Sequence, residues 1–319
     1  MEFRKYFEPK YGPVAPEVEI RPAGSIDFDN LATLRVVISN QDVARYQSQI
    51  EHCNVYPELT KIAVEKTTFT YGDNITIPIW IYKPTGEGPH PVLVFFHGGS
   101  FMLYSPDYAD WVMRYISRFG NAVVISVDYR LAPEVKFPGG LEDSYAAVQW
   151  ASDHIEELNG DPDRLLVGGE SSGGNFAAAV ALMARDRKGP KIAKQFLWWP
   201  LTDGYPAERT QSELKYGSGD HYLWYDSRVN QFEQYYGDAD RRSPYASPLW
   251  AEDVSGLPPA VILSGECDPL LDQAVMYAAK LEDAGVNVDY YLGEGMLHAF
   301  IFETHGKSFE ALNFVVDHL

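Results

Sequence analysis

The stretch GGESSGGNF, residues 168–176, puts four glycines and two serines into nine positions. It can be read as a flexible Ser/Gly helix cap, or as a turn that presents Ser171 as a nucleophile. A G-x-S-x-G pattern alone does not separate the two, so the flanks decide. Before it, RLLVG (164–168) is a short apolar run that reads as a strand. After it, NFAAAVALMAR (175–185) is rich in good helix formers and runs out into Arg185, Arg187, Lys188, Gly189 and Pro190. Those are cations that suit a helix C-terminus, followed by a stop. Ser171 is therefore expected in a strand-to-helix turn. Such an elbow forces the serine to positive φ and folds the chain back so tightly that a Cβ at Gly169 or Gly173 would clash. The hydroxyl then sits at a helix N-terminus, where the dipole and the Ser172 N–H favour developing negative charge.

Outward from the turn, short apolar runs alternate with helical patterns. The runs are VLVFF (92–96), AVVISV (122–127), RLLVG (164–168), FLWW (196–199), AVILS (260–264) and VDYYL (288–292). Helices are expected at 107–119, 140–158, 174–187, 270–284 and 307–319. Four to six residues of Val, Ile and Phe suit strands buried on both faces, so the fold class is α/β, a mostly parallel sheet covered by helices on both sides. Two β-rich segments, Thr67–Tyr71 and Ile75–Tyr82, precede this alternation and are joined by a Gly-Asp-Asn turn. An aromatic-rich span, about 203–257, interrupts it. With residues 1–60, which hold four early prolines and an amphipathic piece at about 30–51, it is expected to form a helical cap on a single domain, 1–319.

Bulk properties narrow the function. The formal net charge of −19 argues against nucleic acid and against an anionic membrane as partners. The start, MEFRKYF, has no apolar targeting core, and no later run approaches the length of a membrane span. Cys53 and Cys267 are the two cysteines, in no metal-like spacing, which fits a reduced compartment. The expectation is a cytoplasmic protein that needs no metal and no organic cofactor. A homo-oligomer is left open.

A serine hydroxyl needs a base, and the base needs an orienting acid. Of the eight histidines, His298 follows the 288–292 run in a Gly-Glu-Gly-Met-Leu-His loop, on the same sheet edge as Ser171. Asp268, in GECDPLLD, follows the 260–264 run; an Asp before Pro can also be a plain helix cap. The order Ser171, Asp268, His298, with gaps of 97 and 30 residues, is the chain order of an α/β-hydrolase triad. HGGSF, His97 to Phe101, follows the VLVFF run, where consecutive small residues can aim backbone N–H groups at an oxyanion. Phe101, Trp198, Trp199 and Leu201 are candidates for the substrate pocket, with the two indoles shortening it.

Taken together HGGSF, DYRLAPE (128–134) with FPGGLED after it, GESSGG, SPYASPL (243–249), CDPLLD and HAF (298–300) resemble the hormone-sensitive-lipase-like branch of the α/β-hydrolases, bacterial carboxylesterases and acetyl esterases in particular. The resemblance spans roughly 65–319. It implies Ser171 as nucleophile, Asp268 as acid and His298 as base. It also implies an oxyanion hole at Gly99, Ser100 and Ser172, with Gly98 shaping the turn, and a small ester as substrate. DYRLAPE is similar to a structural segment of that family. Two departures stand out: Ser100 where the family usually has a third glycine, and Glu170-Ser171-Ser172 where Asp-Ser-Ala is commoner. Amidases, aryl, feruloyl or acetyl-sugar esterases, and the plant gibberellin receptors on the same fold are the alternatives. The receptors lack the histidine that stands here as His298.

Overall fold

In the computed structural model of the chain the apolar runs line up as one eight-stranded sheet, order β1-β2-β4-β3-β5-β6-β7-β8. The structure describes Gly12, Pro13, Ala15, Pro16 and residues 56–204, 208–217, 232–303 and 305–319. The expected amphipathic piece at 30–51 lies outside them. The strands are β1 (Ala63–Tyr71), β2 (Ile75–Lys83), β3 (His90–Phe96), β4 (Val123–Val127), β5 (Gly160–Glu170), β6 (Lys194–Trp198), β7 (Ala260–Gly265) and β8 (Val288–Gly293). The first two join the sheet antiparallel; every pairing from β4 to β8 is parallel. The carboxyl ends of β3, β5, β6, β7 and β8 consequently share one edge, where an α/β sheet collects its functional loops.

The helices are α1 (Asp110–Gly120), α2 (Gly139–Asp153), α3 (Ser172–Asp186), α4 (Gln211–Tyr216), α5 (Leu271–Asp283) and α6 (Gly306–Asp317). Strand β3 shows why helices must cover both faces, because all seven of its residues are buried. Val92, Val94 and Phe96 pack with α2, α3 and α5; Leu93 and Phe95 pack with α1 and α6. Alternation along a pleated strand divides the core in this way. Several boundaries differ from the sequence reading by a few residues, and two of them share one turn. The 140–158 helix stops at Asp153, because Asn159 turns left-handed and the Gly160 N–H closes onto the Ile155 carbonyl. That turn starts β5 four residues earlier than expected, with His90 opposite Gly160. No helix among the described residues is long and apolar enough to cross a membrane.

The DYRLAPE and FPGGLED segments are joined by a buried carboxylate. Asp143 is fully enclosed and accepts from Arg130 Nε at 2.9 Å, from the Arg130 backbone at 3.0 Å and from Tyr71 Oη at 2.5 Å. The guanidinium fork neutralises a charge that could not be buried alone. At the start of the DYRLAPE segment, burial and the like charge of Asp107 push the Asp128 carboxyl up to about 6.

Two outcomes test this packing. Leu93→Ala leaves a hole in a fully enclosed strand and is expected to cost about 3 kcal/mol in urea denaturation at constant m-value. For Asp128 the folded state holds its proton more tightly than the unfolded chain, so its contribution is present below about pH 4 and lost as pH rises through 6. Asp128→Asn is therefore expected to be more stable than wild type by about 2 kcal/mol at pH 8, a gap that closes by pH 4.

Candidate active site

Ser171 joins β5 to α3 at φ 56° and ψ −117°, a strained backbone for a residue with a Cβ. Its N–H donates to Trp198 O at 2.9 Å, and its carbonyl accepts from Asn175 at 3.1 Å and Leu201 at 3.0 Å. The two glycines around it have steric reasons. A Cβ on Gly169 would lie 2.1 Å from the Gly173 carbonyl oxygen, and one on Gly173 would lie 2.0 Å from that of Phe96. Only bare backbone lets the elbow press against the end of β3.

Asp268 and His298 meet across two loops, after β7 and after β8. His298 Nδ1–H donates to Asp268 Oδ2 at 2.8 Å, with both side chains buried. The second oxygen, Oδ1, accepts from the Leu270 N–H at 2.7 Å. Asp268 thus caps a turn through one oxygen and holds the His298 ring through the other. The loops are zipped by backbone bonds, Glu266 N to Gly293 O at 2.9 Å and Cys267 N to Met296 O at 2.8 Å. Strand β6 lies between the strands of the nucleophile and the acid, so the three residues do not follow adjacent strands.

The HGGSF loop leaves β3 beside the elbow. His97 is fully buried, stacks on Tyr129 at 4.3 Å, and donates Nδ1–H to Gly98 O at 2.7 Å. Burial holds its imidazole down to about 4, against the pull of that carbonyl, so it is neutral at ordinary pH. Tyr129 Oη donates to His97 O at 2.6 Å, and Ala132 N donates to Phe101 O at 3.0 Å, so the DYRLA segment backs this loop. The Gly98 N–H donates to Glu170 Oε1, which removes it from the oxyanion donors; Gly98 shapes the turn instead. The Gly99, Ser100 and Ser172 N–H groups have no hydrogen-bond acceptor among the described residues.

The sequence reading noted Glu170 as a departure at the elbow but gave it no role. It is buried, accepts from Gly98 N and from Trp199 Nε1 at 2.9 Å, and lies within electrostatic reach of the His298 imidazole. Desolvation raises its pKa, opposed by the Trp199 donor, by His298 and by Gly98. The available signal was an acidic residue closing an apolar strand, inside the quoted motif itself. Of the pocket candidates, Trp199 sits edge-on to His298 at 5.9 Å and near Phe300 and Phe302. Trp198, the last residue of β6, packs its ring on Phe95 at 5.0 Å, inside the α1 and α6 core. Phe101 stacks on Tyr235 at 3.8 Å, anchoring residues 232–236, and Leu201 is buried beneath them.

A family model described as alpha/beta hydrolase fold matches residues 93–302. A carboxylic ester hydrolase, LipN, of Mycobacterium tuberculosis is 40% identical over 76% of this chain and 66% of its own length. The carboxylesterase NlhH of the same organism is 33% identical over 91% of each chain. Among solved structures, the thermostable carboxylesterase EstE1 from a metagenomic library superposes with a TM-score of 0.82 at 31% identity, covering 92% of this chain and 98% of that one. The match spans the loops that carry Ser171, Asp268 and His298. The chain belongs to the α/β-hydrolases, in their hormone-sensitive-lipase-like carboxylesterase family.

Proposed function

We propose that the protein hydrolyses short-chain carboxylic esters through an acyl-enzyme formed on Ser171. The enzyme class, carboxylic ester hydrolase, follows from its family. The observation that carries the residue assignment is the buried 2.8 Å contact of His298 Nδ1 with Asp268 Oδ2, on the sheet edge that holds the strained Ser171. With Nδ1–H committed to the carboxylate, proton transfer falls in this reading to the other ring nitrogen.

The Ser171 hydroxyl proton passes to His298 as Oγ bonds to the acyl carbon, and the carbonyl oxygen becomes an oxyanion. The N–H groups of Gly99, Ser100 and Ser172 receive that charge at the N-terminus of α3. Collapse breaks the bond to the alcohol, which leaves with the proton from His298. Water, deprotonated by the same imidazole, then releases the acid. Short acyl groups are favoured because Trp199, Phe300 and Phe302 fill the space beside the imidazole, and all three are buried. The segments 208–217 and 232–257, together with residues near the N-terminus, act in this reading as a cap over the site. A cytoplasmic location belongs to the same proposal.

Ser171→Ala is expected to lower kcat on p-nitrophenyl acetate by about 10⁶-fold, and Asp268→Asn by about 10⁴-fold. Retention of most activity in Ser171→Ala would overturn the nucleophile. Across p-nitrophenyl esters, kcat/KM is expected to be at least ~10-fold higher for acetate and butyrate than for decanoate, since the pocket excludes added methylenes. A maximum at ten carbons or more would sink the short-pocket reading.

A further inference from the structure

The turn that presents the free amides is built from residues poorly suited to it. Gly99, Ser100 and Phe101 are consecutive and all have positive φ, at 105°, 56° and 65°. Glycine takes that conformation readily; a serine and a phenylalanine do so only where surrounding contacts hold them. Besides the Ala132 N–H on Phe101 O and the Tyr235 ring, two holding contacts come from the residues on either side of Ser171. Glu170 accepts from the Gly98 N–H, just before the left-handed run. Ser172 Oγ accepts from the Phe101 N–H at 3.2 Å, at the end of that run. Ser172 is 1% exposed, and its hydroxyl also interacts with the phenol of Tyr129, which backs the loop at His97 O. Between the two pins lie the only two loop amides, Gly99 and Ser100, that lack an acceptor among the described residues.

We infer that the Ser172 hydroxyl is a positioning group that locks the left-handed Ser100–Phe101 pair, so that a side chain at position 100 becomes compatible with a working oxyanion turn. Ser100 and Ser172, the two serines at which the sequence departs from the pattern it resembles, are then one coupled feature. The inference rests on the proposed oxyanion role of the Gly99 and Ser100 amides. Its physical content is that the hydroxyl matters because residue 100 is not glycine. A glycine there would need no lock.

The test is a double-mutant cycle with two readouts, kcat on p-nitrophenyl acetate and amide hydrogen exchange of the peptide spanning 97–103. Ser172→Ala is expected to lower kcat about 10-fold, the worth of one hydrogen bond, with KM within about two-fold, since ground-state ester does not use the oxyanion donors. Exchange in 97–103 is expected to quicken by a similar factor. In the S100G background, adding Ser172→Ala is expected to cost less than about two-fold on both readouts, a failure of additivity that reports the coupling. Ser172→Thr keeps the oxygen and is expected to recover part of the kcat and the exchange protection lost in Ser172→Ala, which separates loss of the contact from loss of the fold. Equal losses in both backgrounds, a loss confined to KM, or unchanged exchange in Ser172→Ala would overturn the inference. Activity surviving in Ser171→Ala would instead remove the esterase assignment, while the exchange data would still decide the lock.

Discussion

The constraint behind the rest of the site is the close approach of the β5–α3 turn to the end of β3. The positions where Gly169 and Gly173 would carry a Cβ are occupied by carbonyl oxygens, Gly173 O and Phe96 O, about 2 Å away. Because nothing but backbone separates these segments, the N-terminus of α3 and the HGGSF loop share one small volume. Strain at Ser171 is tolerated because hydrogen bonds to Trp198, Asn175 and Leu201 hold that residue on both sides.

That crowding explains the unusual part of the arrangement. Glu170 and Ser172 flank Ser171, so their side chains reach the HGGSF loop as soon as the elbow reaches it. A buried carboxylate with two donors, one from the loop and one from Trp199, ties the loop to the indole that sits edge-on to His298. A charge-assisted bond in a water-poor site is strong, and the loss of either partner leaves an uncompensated group. Gly98 and Glu170 specify each other: a Cβ on Gly98 would fall 2.3 Å from Glu170 Oε1. The support extends outward through Tyr129 and Ala132 to the Arg130–Asp143 pair, which gives the DYRLAPE and FPGGLED segments their structural purpose.

The other half of the site is held differently. Asp268 and His298 lie on separate loops, and backbone bonds between 266–267 and 293–296 bring those loops into register before any side chain is considered. Residues near the N-terminus reinforce this region. Ala15 N donates to Gly295 O at 2.9 Å, and Tyr216 Oη donates to Gly12 O at 2.8 Å, so α4, the acid loop and the base loop meet at one chain segment. Rigid loop backbone is what keeps a histidine aligned with its carboxylate.

Much was legible in the sequence wherever the signal was local. Runs of four to six apolar residues between helical stretches gave the sheet and its helices, because burial on both faces leaves no room for polar alternation. The elbow was legible because glycine spacing reports backbone contact directly. The order Ser171, Asp268, His298 followed from loops that each close a strand. What needed tertiary structure was anything that depends on which groups meet across the sheet. Trp198 and Trp199 are neighbours in sequence, yet one ends β6 and packs on Phe95, while the left-handed turn at the other carries its ring to His298. Glu170 and Gly98 are 72 residues apart, and their bond exists only because β3 and β5 pair with Phe96 opposite Gly169. Sequence determined which turns the candidate residues occupy; pairing register and side-chain direction decided which of them meet, since those are set by the packing of distant segments rather than by any local preference.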